Sequence, residues 1–140
     1  MNCYVTDASF LIKCIVPEEH SSTVIAFALK GYELIVPDLF YPETANILWK
    51  KARCGEMQKD EVWQALNQLQ LLELTVISNK SLMDLATDIA LSQGCSVYDG
   101  TYLAAAIKQD CPLVTADRRF YNNLKNGQYA SHFLWIEEAV

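Results

Sequence analysis

Short β-prone segments alternate with helical segments along the 140 residues, and this alternation restricts the chain to few folds. Runs of β-branched and other apolar residues predict five strands, at 3–6, 34–36, 74–77, 113–115 and 133–136. Strands that are separated by helices pair most readily in parallel, because parallel neighbours need a long crossover connection. The pattern therefore predicts a three-layer α/β/α sandwich with a mainly parallel sheet, whose ligand site is expected beyond the carboxyl ends of the strands.

Helical periodicity is clearest between residues 82 and 90. One apolar stripe is formed there by Leu82, Leu85, Ala86, Ile89 and Ala90. Gly94 follows as a predicted end of this helix. Three further helices are predicted, over 40–53, around 62–69 and over 98–109.

Length and composition favour one domain that spans residues 1–140. Hydrophobic residues make up 51% of the chain, which is enough for one core, and the length is short for two domains. Lys13 interrupts the longest apolar run, so no membrane span is predicted, and the first residues do not resemble a secretory signal. We therefore expect a soluble, cytoplasmic protein.

The five cysteines and two histidines form no recognisable metal or disulfide pattern. The cysteines are odd in number, widely spaced and without a Cys-x-x-Cys pair. We expect most of them to be small buried hydrophobic residues and not part of a disulfide framework. His20 and His132 are far apart in sequence, so surface or structural roles are expected rather than zinc binding.

Four acidic residues occur where the predicted fold would place its chemistry. Asp7 and Asp117 follow the first and fourth predicted strands, and Glu43 and Asp99 lie at the starts of two apolar helices. Each has an ordinary alternative role, since aspartate caps helices and acidic residues near helix starts are favoured by the helix dipole. Strand ends and helix starts share one edge of a right-handed βαβ layer, so one cleft can collect all four.

Four carboxylates in one cleft predict a divalent cation, because close pairs repel by about 4 kcal/mol even with substantial screening. Oxygen ligands without histidine or cysteine favour magnesium, with manganese as a substitute. Such ions also bind phosphate oxygens, so cleavage of a phosphodiester is the natural reaction. The net charge of −6 argues against a broad basic face for nucleic acid, although bound cations would reverse the local sign.

Basic and aromatic residues close to these carboxylates are candidates for substrate contacts. Arg118 and Arg119 adjoin Asp117, and Lys13 lies near Asp7, so these three side chains are predicted to hold flanking phosphates unless they simply form a solvated surface. The neighbouring aromatic residues could stack on unpaired bases, but all except Tyr98, Tyr102 among them, are expected to form core or oligomer contacts.

Four segments of the sequence resemble the signature segments of PIN-domain ribonucleases, specifically of VapC-like toxins. They are VTDASFLIK, PETANILWK, SVYDGTYLAAA and LVTADRRF, and their order and spacing agree across nearly the whole chain. The resemblance implies a PIN-like fold and a magnesium or manganese site formed by Asp7, Glu43, Asp99 and Asp117. It further implies surrounding polar residues that orient ligands and waters, namely Ser9, Asn46 and Thr115. Ser96 replaces an acidic residue that some relatives carry, which leaves one or two metal ions possible.

The resemblance implies an endoribonuclease whose products carry 5′-phosphate and 3′-hydroxyl ends. It also implies a cognate antitoxin whose peptide covers the acidic cleft, and a homodimer. A catalytically silent PIN-like scaffold that binds RNA or protein is an alternative, against which the four intact carboxylates argue. A phospho-acceptor receiver and a haloacid-dehalogenase-like phosphatase fit less well, because each needs a further acidic residue where this chain has Ala8 and Ser9.

Overall fold

A sheet of five parallel strands forms the centre of the computed structural model, which describes residues 2–139. The strand order is β3-β2-β1-β4-β5, and all four pairings are parallel. Their bounds are Cys3–Thr6 for β1, Glu33–Pro37 for β2, Thr75–Ile77 for β3, Leu113–Thr115 for β4 and Phe133–Trp135 for β5. The predicted five-stranded sheet is thus confirmed, and its strands lie within one residue of the predicted positions.

Helices connect the strands and cover the sheet. They are α1 (Ala8–Leu11), α2 (Ser21–Ala28), α3 (Phe40–Arg53), α4 (Lys59–Leu71), α5 (Asn79–Gln93), α6 (Val97–Gln109) and α7 (Arg118–Leu124). Gly94 adopts the left-handed conformation with φ of 74° and ends α5, as predicted. Apolar periodicity did not single out α1, α2 or α7, because these helices are too short to repeat a stripe.

Two hydrophobic cores separate the layers. Within β2, Leu34 and Val36 belong to one core and Ile35 to the other, and Val114 and Leu113 of β4 divide in the same way. Helices α1 to α4 supply the first core, and α5 to α7 supply the second. Because helices cover both faces, the predicted three-layer α/β/α sandwich is confirmed.

The strand order defines where the chain reverses direction across the sheet. The first three strands extend outward from β1 on one side, and the chain then crosses to the other side for β4 and β5. The crevice beyond the carboxyl ends of β1 and β4 is therefore the expected ligand site in an open parallel sheet.

Cys3 and Cys111 form a disulfide, which corrects the expectation that the cysteines would not pair. Their Cα atoms lie 5.7 Å apart although 108 positions separate them in the sequence. They meet because β1 and the segment before β4 are neighbours, which the spacing of cysteines cannot reveal. The expectation of mostly buried cysteines is also wrong, since Cys54 is exposed and Cys14 and Cys95 are half-buried.

Over residues 2–139, none of the helices combines the length and the apolar character that crossing a lipid bilayer would require.

Candidate active site

Asp7 lies in the crevice between β1 and β4 and is 5% exposed. Its Oδ1 accepts hydrogen bonds from the Ser9 hydroxyl at 2.7 Å and from the Phe10 backbone amide at 3.0 Å. Its Oδ2 accepts a hydrogen bond from the Thr115 hydroxyl at 2.5 Å. Asp7 therefore caps α1 and faces the crevice at the same time, so its two predicted roles are compatible.

Asp117 is tied to the same network from the β4 side. Its Oδ1 accepts a hydrogen bond from the Phe120 amide at 3.1 Å and so caps α7. Its backbone amide donates to Thr115 Oγ1 at 3.0 Å, and the Ala116 amide donates to Ser9 Oγ at 3.2 Å. The Ser9 and Thr115 hydroxyls thus link the ends of β1 and β4 and fix the backbone next to both aspartates.

Glu43 and Asp99 approach the crevice from the first turns of two long helices. Glu43, on α3, accepts a hydrogen bond at Oε1 from the Tyr102 hydroxyl of α6 at 3.1 Å. Asp99, on α6, is half-buried, and its backbone amide donates to Ser96 Oγ at 3.0 Å. Both positions follow from helices that begin at the carboxyl edge of the sheet, as predicted.

Three of the four carboxylates have raised pKa values, and neighbouring carboxylates contribute to each rise. Burial raises the pKa of Asp7 to about 6, and the nearby Asp117 adds to the rise. Burial raises the pKa of Glu43 to about 7, with further contributions from the other three acidic residues. The pKa of Asp99 is raised by burial and by Asp117, while Arg119 lowers it in part. Asp99 and Asp117 line one cleft, and Asp7 and Glu43 lie close enough to them for the charges to interact.

The chemistry of these side chains fits a hard divalent cation, because every candidate donor is a carboxylate oxygen. Within the described residues, however, no three histidine, cysteine or acidic side chains are arranged to hold an ion as they lie. Burial is the main cause of the raised pKa values, and repulsion between neighbouring carboxylates adds to it. A bound cation would require that they move closer together.

The other predicted site residues lie at different distances from this cleft. Ser9 and Thr115 contact Asp7 directly, whereas Asn46 is exposed on α3 and makes no side-chain hydrogen bond within residues 2–139. Lys13 forms an ion pair with Glu18, with 3.6 Å between Nζ and Oε1, and Glu18 is shared with Lys51.

The two predicted arginines also differ. Arg119 lines the cleft together with Asp99 and Asp117. The Arg118 guanidinium lies 4.8 Å from the centre of the Trp135 ring, and so stacks on the end of β5. Of the three predicted basic contacts, Arg119 is the one that the structure brings to the carboxylates.

Two residues near the carboxylates were not identified from the sequence as site residues. Tyr102 packs in the core as expected, but its hydroxyl reaches Glu43. Cys95 lines the cleft beside Asp99. A signal for Tyr102 was present, since residues three positions apart share one helix face and Tyr102 lies three positions after Asp99.

Four convergent carboxylates at the carboxyl edge of a parallel α/β/α sandwich define a class of proteins that the family comparison also identifies. Residues 4–124 match the PIN domain, so the chain belongs to the PIN-domain family. The resemblance that was read from the four sequence segments is thereby confirmed.

Relatives within the family can be named individually. The chain is 38% identical over 117 residues to Ribonuclease VapC3 of Pyrobaculum aerophilum, which covers 82% of this chain and 89% of that protein. A crystal structure of a protein from the same organism has a TM-score of 0.69 and 25% identity, over 96% of this chain and 83% of that one. A toxin–antitoxin complex from Klebsiella pneumoniae shares the fold alone, with a TM-score of 0.61 and 11% identity, over 86% of this chain and 92% of that chain.

Proposed function

We propose that this protein is a magnesium-dependent endoribonuclease, with manganese as a substitute cation, and the toxin of a toxin–antitoxin pair. The observation that carries the proposal is the convergence of Asp7, Glu43, Asp99 and Asp117, from four separate elements, at the crevice where β1 and β4 end. The 38% identity to a protein named as a ribonuclease supports RNA as the substrate.

The four carboxylates would hold the cation. When bound, the cation neutralises the negative charge that develops on the phosphoryl oxygens during cleavage. It would also relieve the repulsion among the carboxylates and lower the raised pKa values of Asp7, Glu43 and Asp99. The protein's contribution is to position the four side chains on rigid elements, with Ser9 and Thr115 fixing Asp7.

Asp117 is the better placed of the two aspartates to accept a proton from the attacking water. Both oxygens of Asp7 already accept hydrogen bonds from the protein. Asp117 Oδ1 is engaged by the Phe120 amide, but Oδ2 accepts no hydrogen bond from the part of the chain that the structure covers. Attack by water on phosphorus gives 5′-phosphate and 3′-hydroxyl products, which distinguishes this reaction from attack by the ribose hydroxyl.

Arg119 is proposed to hold a phosphate of the RNA next to the cleaved bond, because it lines the cleft beside Asp99. Arg118 is exposed, and its guanidinium stacks on Trp135. It would contact phosphate from outside the cleft. Lys13 would have to leave Glu18 to reach RNA, and Asn46 would have to turn toward the cleft. Their roles at the site stay predictions.

We further propose a cognate antitoxin that inserts a basic side chain among the carboxylates. An arginine fork matches carboxylate geometry and would displace the cation from an acidic cleft. The shared fold with a toxin–antitoxin complex is consistent with such a partner. We also propose that the protein is a single domain, forms a homodimer and is cytoplasmic. The exposed Trp49 and Trp63 offer apolar surface for contacts with the antitoxin or with the second copy of the chain.

The function is tested by incubating the protein with RNA and either magnesium or manganese. Asp7→Asn should reduce cleavage by about a thousandfold, because it removes a charged ligand from the reacting centre. Asp38→Asn is the matched control, since Asp38 likewise follows a strand but is exposed and accepts a hydrogen bond from the Asn79 amide. EDTA should abolish cleavage, and product ends should be 5′-phosphate and 3′-hydroxyl.

Cyclic 2′,3′-phosphate products would contradict the water-attack mechanism. Equal cleavage by the wild type and by Asp7→Asn would show that the activity comes from a contaminant. Absence of any cleavage, together with RNA binding, would favour the silent scaffold.

Cation binding has a test that does not depend on activity. Millimolar manganese should raise the melting temperature of the metal-free protein, because ligands that bind the folded state stabilise it. Asp99→Asn should reduce this rise. An unchanged melting temperature in the wild type would count against a cation site.

A further inference from the structure

Tyr102 is a core residue with a polar group that ends in the candidate site. Its side chain is 2% exposed and packs in the core that α5, α6 and α7 share. Its hydroxyl donates a hydrogen bond to Glu43 Oε1 at 3.1 Å. One phenol group thus joins α6 to α3.

The hydroxyl group is not needed for packing. Phenylalanine would fill the same space, and burying a hydroxyl costs free energy unless it finds partners. The hydrogen-bond acceptor of this hydroxyl is Glu43, itself one of the four carboxylates. This acceptor therefore points to a role at the site.

Glu43 depends on this contact more than Asp7 depends on any single one. Asp7 accepts three hydrogen bonds, but among residues 2–139 the Glu43 carboxylate accepts one, and that one comes from Tyr102. A glutamate side chain also has one more rotatable bond than aspartate, so it loses more freedom when it is fixed.

We infer that Tyr102 is a positioning residue, which holds Oε1 of Glu43 so that Oε2 is directed to the divalent cation. This inference rests on the proposed cation-dependent nuclease and names a residue that its activity requires. Ligating carboxylates in metal sites are commonly hydrogen-bonded by a second residue, and loss of that residue weakens metal binding by about 10-fold to 100-fold. We expect Tyr102 to act in this way.

The test measures manganese binding by isothermal titration calorimetry in the full-length chain. Tyr102→Phe keeps the ring and removes the hydroxyl, and it should weaken manganese affinity by about tenfold or more. Tyr121→Phe is the matched control, because it removes a similar tyrosine–glutamate contact, between Tyr121 and Glu138 at 3.4 Å, away from the four carboxylates. Its manganese affinity should equal that of the wild type.

The melting temperature of each metal-free variant separates positioning from packing. Weaker manganese binding by Tyr102→Phe with a melting temperature close to that of Tyr121→Phe supports the inference. Manganese affinity equal to that of the wild type overturns it, and so does a loss of affinity that is accompanied by a large fall in melting temperature. If the wild type itself binds no manganese, the proposed function fails as well, so the two failures are distinguishable.

Discussion

The two ends of the β1–β4 strand pair are built in opposite ways. At the amino ends, Cys3 and Cys111 join the two segments covalently. At the carboxyl ends, Asp7 and Asp117 carry like charges, and Asp117 contributes to the raised pKa of Asp7. One end of the pair is stabilised by a cross-link, and the other end is destabilised by charge.

The difference illustrates how a small protein can keep a site in which the charges are unfavourable. A disulfide that closes a loop of about 100 residues contributes roughly 4 to 5 kcal/mol in the chain-entropy description. A shift of the Asp7 pKa from 3.8 to about 6 corresponds to a penalty on the order of 3 kcal/mol. The cross-link therefore exceeds the cost of holding Asp7 charged, which would allow the carboxyl end to keep unfavourable charge until a cation binds.

The largest effect is expected from removing the cross-link. Replacing both Cys3 and Cys111 by alanine should lower the free energy of unfolding by about 3 to 5 kcal/mol, as measured by urea denaturation. Cys54→Ala is the control, because Cys54 is exposed and unpaired. Manganese affinity at a temperature where both proteins are folded should not change, and a large change would mean that the two ends are not independent.

A smaller effect is expected from pH in the metal-free protein. Because the pKa of Asp7 is higher in the folded state than in the unfolded state, its favourable contribution is complete below about pH 4 and is lost as pH rises through about 6. Glu43 should extend the loss to about pH 7. The free energy of unfolding of the wild type should therefore fall relative to Asp7→Asn by on the order of 3 kcal/mol between pH 4 and 8.

Saturating manganese should largely abolish this pH-dependent difference, because the cation compensates the charge. A wild type that gains stability relative to Asp7→Asn as pH rises, without metal, would show that Asp7 is stabilised in its charged form.

The smallest effect concerns the basic residues around the acidic end. Arg119→Ala should reduce the slope of log binding constant against log salt concentration by about 1, measured with RNA and the uncleaving Asp7→Asn protein. Arg118→Ala should reduce it less, since Arg118 stacks on Trp135 outside the cleft. If the Asp7→Asn protein has the same slope with and without Arg119→Ala, Arg119 does not contact a phosphate.

Local patterns in the sequence were sufficient for the architecture and for the four carboxylates. The strands at 3–6 and 113–115 and the helix at 40–53 were predicted with their observed bounds, because apolar runs and helical stripes reflect which face of each element is buried. Asp7, Glu43, Asp99 and Asp117 were identifiable because strand ends and helix starts meet at one edge of any parallel α/β sheet.

Contacts between distant residues were decided by the tertiary structure alone. Neither the Cys3–Cys111 disulfide nor the Tyr102–Glu43 hydrogen bond follows from local pattern, since their partners are 108 and 59 positions apart. The same holds for the ion pair of Lys51 with Glu18, which are 33 positions apart, and for the different surroundings of Arg118 and Arg119. The physical reason is that periodicity reports the burial of one element at a time, whereas these contacts depend on which strands and helices become neighbours, and β1 lies beside β4 only once the whole sheet has formed.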